Sequence, residues 1–272
     1  MAIITVSRQL GSLGTDVAHR LAEKLHYRCL DKESFDRSLD EHGIAAAKVE
    51  KYDEKKPSLW DTFSTDRDLY LHFMKTVIYE SARQGNVVIL GRGGQVLLRG
   101  LPGTLSVRII APYEYRIKRV QEKFQLQRKE AEQAVKNSDR DRSGFHRFFF
   151  NVNWSDAWLF DLVVNTETLT VESAVDMITT AMGYPEIGDR LDEAKTVLGN
   201  LTLNQRVEAA ILYDKKIPVQ YFEVSSEDGV VTLRGAVTST YIIGLCEEAA
   251  RETAGVKEVV NEISLINYYE MM

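Results

Sequence analysis

Apolar residues over the first two thirds of the chain fall into two patterns that take turns. Short continuous runs, "AIITV" (2–6), "NVVIL" (86–90), "LSVRII" (105–110) and "DLVVN" (161–165), have the length and branched content of buried strands. Stretches with helical period at 16–25, 67–83, 113–124, 128–136 and 171–182 predict amphipathic helices. This alternation predicts an α/β fold: a mostly parallel sheet with flanking helices on both faces. Ligands in such sheets bind beyond the carboxyl ends of the strands. Chemistry is therefore expected in the loops after Val6, Leu90 and Ile110.

Around "GYPEIGDR" (183–190) the pattern breaks, and afterwards the grammar changes. A helical stretch (203–213) leads to the strand "VQYFEV", a turn "SSEDG", the strand "VVTLRG", a helix over 239–254 and the strand "EVVNEISLI". Asp228-Gly229 between two alternating runs is a hairpin signal. The reading is two domains, 1–183 and 201–272, joined by a linker over 184–200. The stretch 43–66, rich in Lys and Glu and without clean period, reads as a helical insertion or a surface excursion.

Composition narrows the picture. A chain of 272 residues, 44% hydrophobic and 27% charged, has apolar material for two cores. The net charge of -6 argues against a general nucleic-acid binder. Two cysteines, Cys29 and Cys246, predict neither a disulfide framework nor a zinc site. No apolar run approaches the ~18 residues of a membrane span, and no signal peptide is read at the start. A cytoplasmic protein is expected.

The stretch "ITVSRQLGSLGTDVAHRLAEKL" (4–25) is a strand, a glycine-bearing loop and a helix, the layout of a phosphate-binding loop. Such loops aim backbone N–H groups and a helix N-terminus at phosphate oxygens. Gly11, Ser12 and Gly14 supply the turn, and Thr15 and Asp16 begin the helix. The full G-x-x-x-x-G-K-[ST] pattern is absent, because no Lys or Arg lies between Arg8 and Arg20.

With "NVVILGRGGQVL", "RIIAPYEYRIKRVQEKF", "NSDRDRSGFHRFFF" and "FDLVVNTETLTVESAVDMI" following in order, residues 2–182 resemble the cytidylate kinase-like family, a branch of the P-loop nucleoside monophosphate kinases. The resemblance implies ATP and Mg²⁺ as cofactors and a cytidylate-type acceptor. It makes Ser7, Arg8, Gly11, Ser12, Gly14, Thr15 and Asp16 the nucleotide-binding residues, with Ser12, Thr15 or Asp16 as Mg²⁺ ligands. Asp31 matches an acidic position near the acceptor, or else caps the following helix. Arg92 matches an arginine for the acceptor phosphate, suited to it by a planar fork that stays charged. Arg140, Arg142 and Arg147 fit an arginine-bearing lid that clamps the moving phosphoryl group, with Asp139 and Asp141 contacting the acceptor or orienting them. The bland alternative is a solvated charge run at a helix end, although the four phenylalanines of "FHRFFF" need cover.

Two positions depart from the family's pattern. Leu13 stands where relatives usually carry glycine, and Thr15 where they carry a basic residue. "VILGRG" also lacks the strand carboxylate that many members of the wider superfamily use for Mg²⁺.

Residues 203–266 resemble a BON domain, marked by "DGVVTLRGAV" and "AGVKEVVNEI". The resemblance gives Gly229 to the hairpin, Gly235 to the strand exit and Gly255 to the helix C-cap. It suggests contact with a protein partner or small ligand, or homo-oligomerisation. The acidic module disfavours anionic lipid. Three functions are thus open: a nucleoside monophosphate kinase, a catalytically weak nucleotide sensor that signals through the BON module, and a scaffold that binds no nucleotide.

Overall fold

The computed structural model describes residues 2–41, 65–188 and 191–266. It divides into two compact units, 1–194 and 195–272. The insertion read over 43–66 lies outside the described residues, apart from its last two, which open a helix.

In chain order the first unit runs β1 (Ile3–Arg8), α1 (Gly14–Leu25), β2 (Arg28–Leu30), α2 (Lys32–Glu41), α3 (Thr65–Gln84), β3 (Val87–Leu90), the single turn α4 (Gly94–Leu97) and β4 (Thr104–Ile110). There follow α5 (Tyr113–Phe124), α6 (Arg128–Phe150), β5 (Leu162–Asn165) and α7 (Val171–Met182). The strands form one parallel sheet in the order β2-β3-β1-β4-β5. Val6 pairs with Leu90 and Arg8 with Ile109, so the loops after β1, β3 and β4 leave the same edge together. The α/β architecture expected from the alternating pattern is present.

Period-two alternation gives the sheet two different faces. Ile4, Val6, Val107 and Ile109 pack with Val17, Ala18 and Leu21 of α1 and Ala174, Val175 and Ile178 of α7. Each buried Val, Leu or Ile among them contributes ~1.5–3 kcal/mol. The opposite face carries a buried polar stripe, Thr5 beside Ser106 and Ser7 beside Arg108. Thr5 donates to Ser106 at 3.1 Å, and the Trp154 indole donates to Ser7 at 2.9 Å. Arg108 donates to the Trp154 carbonyl and stacks 4.4 Å from that ring.

One helix departs from expectation. The pattern predicts a stop near Lys136, whereas α6 continues 14 residues further to Phe150. Its inner face reads Ala131, Val135, Ser138, Arg142, Phe145 and Phe149, an unbroken helical spacing. The middle of that face is polar because it passes over a cleft, and this interruption hides the period. Phe145 and Phe149 are buried, with Phe149 5.5 Å from the Tyr70 ring of α3. The phenylalanines thus find their cover, and they anchor the helix.

The second unit contains the three-stranded sheet β6 (Gln220–Glu227), β7 (Val230–Val237) and β8 (Glu258–Leu265), with β6/β7 antiparallel and β7/β8 parallel. Helix α8 (Leu191–Ala209), which covers much of the segment read as a linker, ends in one wide turn, Ala210–Asp214. Together with α9 (Thr240–Arg251) it buries Val207, Ile211, Cys246 and Ala250 against Val231, Leu233 and Ile263. Gly229 takes the hairpin, as expected, with φ 89°. Gly235 does not end its strand. It lies inside β7, where a Cβ would come within 2.7 Å of Val219, opposite the register shift between Gln220 and Glu223. Gly255 (φ 104°) shapes the turn before β8, because Glu252 closes α9.

Candidate functional site

The loop after β1 is held from within. The Gln9 carbonyl accepts from the Ser12 N–H (3.3 Å) and hydroxyl (2.9 Å), and the Ser12 carbonyl accepts from Thr166 at 2.8 Å. Gly11 has φ 79°, and a Cβ there would lie 2.6 Å from the Arg116 carbonyl oxygen. At Gly14 a Cβ would meet the Arg8 side chain at 2.4 Å. Both glycines are required by close approach. Leu13 adopts φ 62°, ψ 7°, a left-handed conformation that costs an ordinary residue ~1–2 kcal/mol. It immediately precedes the first turn of α1.

This loop forms one wall of a cleft of about 540 Å³. The opposite wall comes from α5 and α6. Arg119 donates to the Gly11 carbonyl (3.4 Å) and to the carbonyl and hydroxyl of Thr166 (2.7 and 3.2 Å). Lys123 stands 3.8 Å from the Asp16 carboxylate across the mouth. Arg142 of α6 also borders the cleft, hydrogen-bonded to Ser138 at 2.9 Å. Arg8, Arg119, Lys123 and Arg142 thus line it against Asp16 and Glu122. The cleft is cationic.

Behind it, the buried Arg116 fork pairs with Asp139 through bonds of 2.9 and 2.7 Å and donates to the Leu10 carbonyl at 3.4 Å. This ties the loop to α6. A second tie runs through the buried His146. A carbonyl cannot donate, so its Nδ1 proton goes to the Arg142 carbonyl (2.8 Å), and its Nε2 accepts from the Gln95 amide (2.7 Å).

At the edge beyond β2 and β3, Arg92 is buried, with φ 55° between two left-handed glycines. Its guanidinium lies 4.9 Å from the Phe35 ring and 3.4 Å from the Asp36 carboxylate. Gly93 is closed to any side chain, since a Cβ would sit 2.2 Å from the Phe150 ring. Asp31 accepts from the Ser34 N–H at 3.1 Å, so the capping alternative is realised. Burial would raise the Asp31 carboxyl, but the Ser34 hydrogen bonds and the facing His19 outweigh it and hold it below its usual value. Burial and the Asp31 charge push the Cys29 thiol up to about 11.

With this geometry in place, residues 3–168 match the cytidylate kinase-like family, three fifths of the chain. The chain belongs to the cytidylate kinase-like family. Residues 200–267 match the BON domain. The cytidylate kinase of Pyrobaculum islandicum is 26% identical over 189 residues, covering 68% of this chain and 96% of that protein. That of Ignicoccus hospitalis is 28% identical over 180 residues, 65% and 97% of the two chains. A crystal structure of an uncharacterized protein from Eubacterium ventriosum superposes with a TM-score of 0.54 at 26% identity, covering 66% of this chain and 97% of its own. A stretch of 100 residues is 35% identical to the uronate isomerase of Corynebacterium glutamicum; it spans only 19% of that protein.

Set against the family resemblance, the candidate residues divide. Arg8, Gly11, Gly14, Thr15, Asp16 and Arg142 line the cleft. Ser7 and Ser12 are buried and turned inward, Ser7 to Trp154 and Ser12 to Gln9. As placed, the Ser12 hydroxyl is occupied within the loop, which leaves Thr15 and Asp16 as the Mg²⁺ candidates at the cleft. Asp139 is engaged by Arg116 rather than facing an acceptor. Arg140 and Arg147, seven residues apart on α6, share an exposed face, and Arg140 stands 3.7 Å from Asp141. Neither borders the cleft. The residues not singled out from sequence are Arg116, Arg119 and Lys123. Their spacing of three and four, just after the strand beside β1, was the available signal.

Proposed function

We propose that the first unit transfers the terminal phosphoryl group of ATP to a nucleoside monophosphate of the (d)CMP type. One observation carries this reading: α5 brings Arg119 and Lys123 to the rim of a phosphate loop that has no lysine of its own. Gly11 and Gly14 let the backbone approach the phosphates, while Arg8, Arg119, Lys123 and Arg142 balance their charge. Thr15 and Asp16 would hold Mg²⁺, which when bound neutralises charge on the outer phosphates. Arg92, kept in place by Phe35 and Asp36, would take the acceptor phosphate, and Asp31 secures the start of the helix that carries both partners. The BON domain would serve a protein partner or small ligand.

A coupled assay with ATP, Mg²⁺ and each monophosphate tests this. Arg119→Ala and Arg142→Ala are each expected to lower kcat ~100- to 1,000-fold, whereas Arg140→Ala and Arg147→Ala leave it nearly unchanged. Parental turnover no better than that of Arg119→Ala rejects the enzyme. The left-handed Leu13 favours the second reading, a weak or inactive sensor. Its signature is a nucleotide-induced rise in Tm without turnover.

A further inference from the structure

The edge of the sheet at β2 gathers three groups that no step of the proposed reaction uses together. His19 projects from α1, Cys29 belongs to β2, and Asp31 follows that strand. One donor atom from each lies within 4.8 Å of the other two. We propose that these three side chains bind one transition-metal ion, of which Zn²⁺ best suits the ligand set.

Thiolate, imidazole and carboxylate together are a zinc-type donor set, softer than the oxygen cage that Mg²⁺ or Ca²⁺ requires. Zinc bonds of ~2.0–2.3 Å at tetrahedral angles place neighbouring donors ~3.3–3.7 Å apart. The His19 Nε2 to Asp31 Oδ2 distance is 3.3 Å, already the edge of such a tetrahedron. The Cys29 sulfur needs only a small side-chain adjustment to close the triangle.

The division of labour within Asp31 supports the assignment. Its Oδ1 accepts from the Ser34 backbone and hydroxyl, at 3.1 and 2.9 Å, and so orients the carboxylate. Its Oδ2 is turned to His19. A ligand fixed by an outer hydrogen bond is what a metal site requires. Access is available too. About half of the His19 side chain and a third of the Asp31 side chain are exposed. The charge of Arg28 is directed away, to the carbonyls of Ser81 and Gly85. Three protein ligands leave the fourth position to water. The bound ion would pin α1, whose first turn closes the phosphate loop, to the start of α2.

The test uses the full chain without an affinity tag, titrated with Zn²⁺ against a chromophoric chelator and, separately, with Co²⁺. Stoichiometric binding of one ion is expected, with a near-ultraviolet thiolate–Co²⁺ absorption band. His19→Ala and Cys29→Ser should each weaken binding by more than ~10-fold, and Cys29→Ser should abolish the band. Cys246→Ser should retain both. Thermal unfolding in the presence of EDTA verifies that the variants fold. Asp31→Asn, which keeps the cap on α2, gives an independent reading and should also weaken binding. Absence of stoichiometric binding overturns the proposal. So does affinity unchanged in His19→Ala or Cys29→Ser, or a Co²⁺ band that survives Cys29→Ser. None of these readouts depends on phosphoryl transfer.

Discussion

At Leu13 the shape of the phosphate loop and its sequence pull against each other. The backbone there is left-handed, a conformation glycine takes without penalty, and the leucine side chain borders the cleft. Replacement by glycine relieves the strain but frees the unfolded chain, and the two effects are of similar size. Leu13→Gly is therefore expected to change stability by less than ~1 kcal/mol while tightening ATP binding, because the backbone becomes accessible to phosphate. Thermal unfolding and a nucleotide titration check this. Unchanged or weaker binding would show that the leucine is no obstacle. The neighbouring glycines behave differently: Gly11 and Gly14 have no room for even a methyl group. The glycines themselves were evident in the chain, but their necessity comes from Arg116 and Arg8, which only folding brings up against them.

Helices α5 and α6 act as a pair. Ile117 and Val120 of α5 pack on Ala131 and Val135 of α6, with Leu10 of the loop beside them. The Arg116–Asp139 pair then fixes how α6 crosses the phosphate loop. Removing either partner strands a charge on the other, which is costly where the site is largely buried. Arg116→Ala and Asp139→Ala are each expected to cost ~2–4 kcal/mol in urea unfolding, less than the fully buried limit because Asp139 retains some solvent. The double variant should cost clearly less than the sum. Strict additivity would mean that the pair does not couple the two helices. Helix α5 was legible at both ends, because its apolar period is uninterrupted. The second half of α6 was not, because its inner face turns polar over the cleft.

Across the whole chain the charge is -6, yet the cleft is lined by four cations and two carboxylates. The positive charge is thus local and set against an acidic background. Raising KCl from ~50 to ~500 mM, which shortens the screening length to a few ångströms, is expected to weaken ATP binding several-fold. An affinity indifferent to salt would argue against these cations as phosphate ligands. Periodicity alone determined the parallel α/β first unit and the second α/β module, because burial on a regular element leaves a repeat that can be read locally, and the glycines between a strand and a helix marked the loop. The tertiary structure decided which side chains share a space. Arg119 and Lys123 come from far along the chain to line the same cleft as the glycine-bearing loop. Arg140 and Arg147 turn outward while Arg142 turns in. Asp139 answers Arg116, and His19, Cys29 and Asp31 meet at a sheet edge. Such convergence depends on crossovers between strands and on the angle at which helices cross them, and neither leaves a local repeat in the sequence.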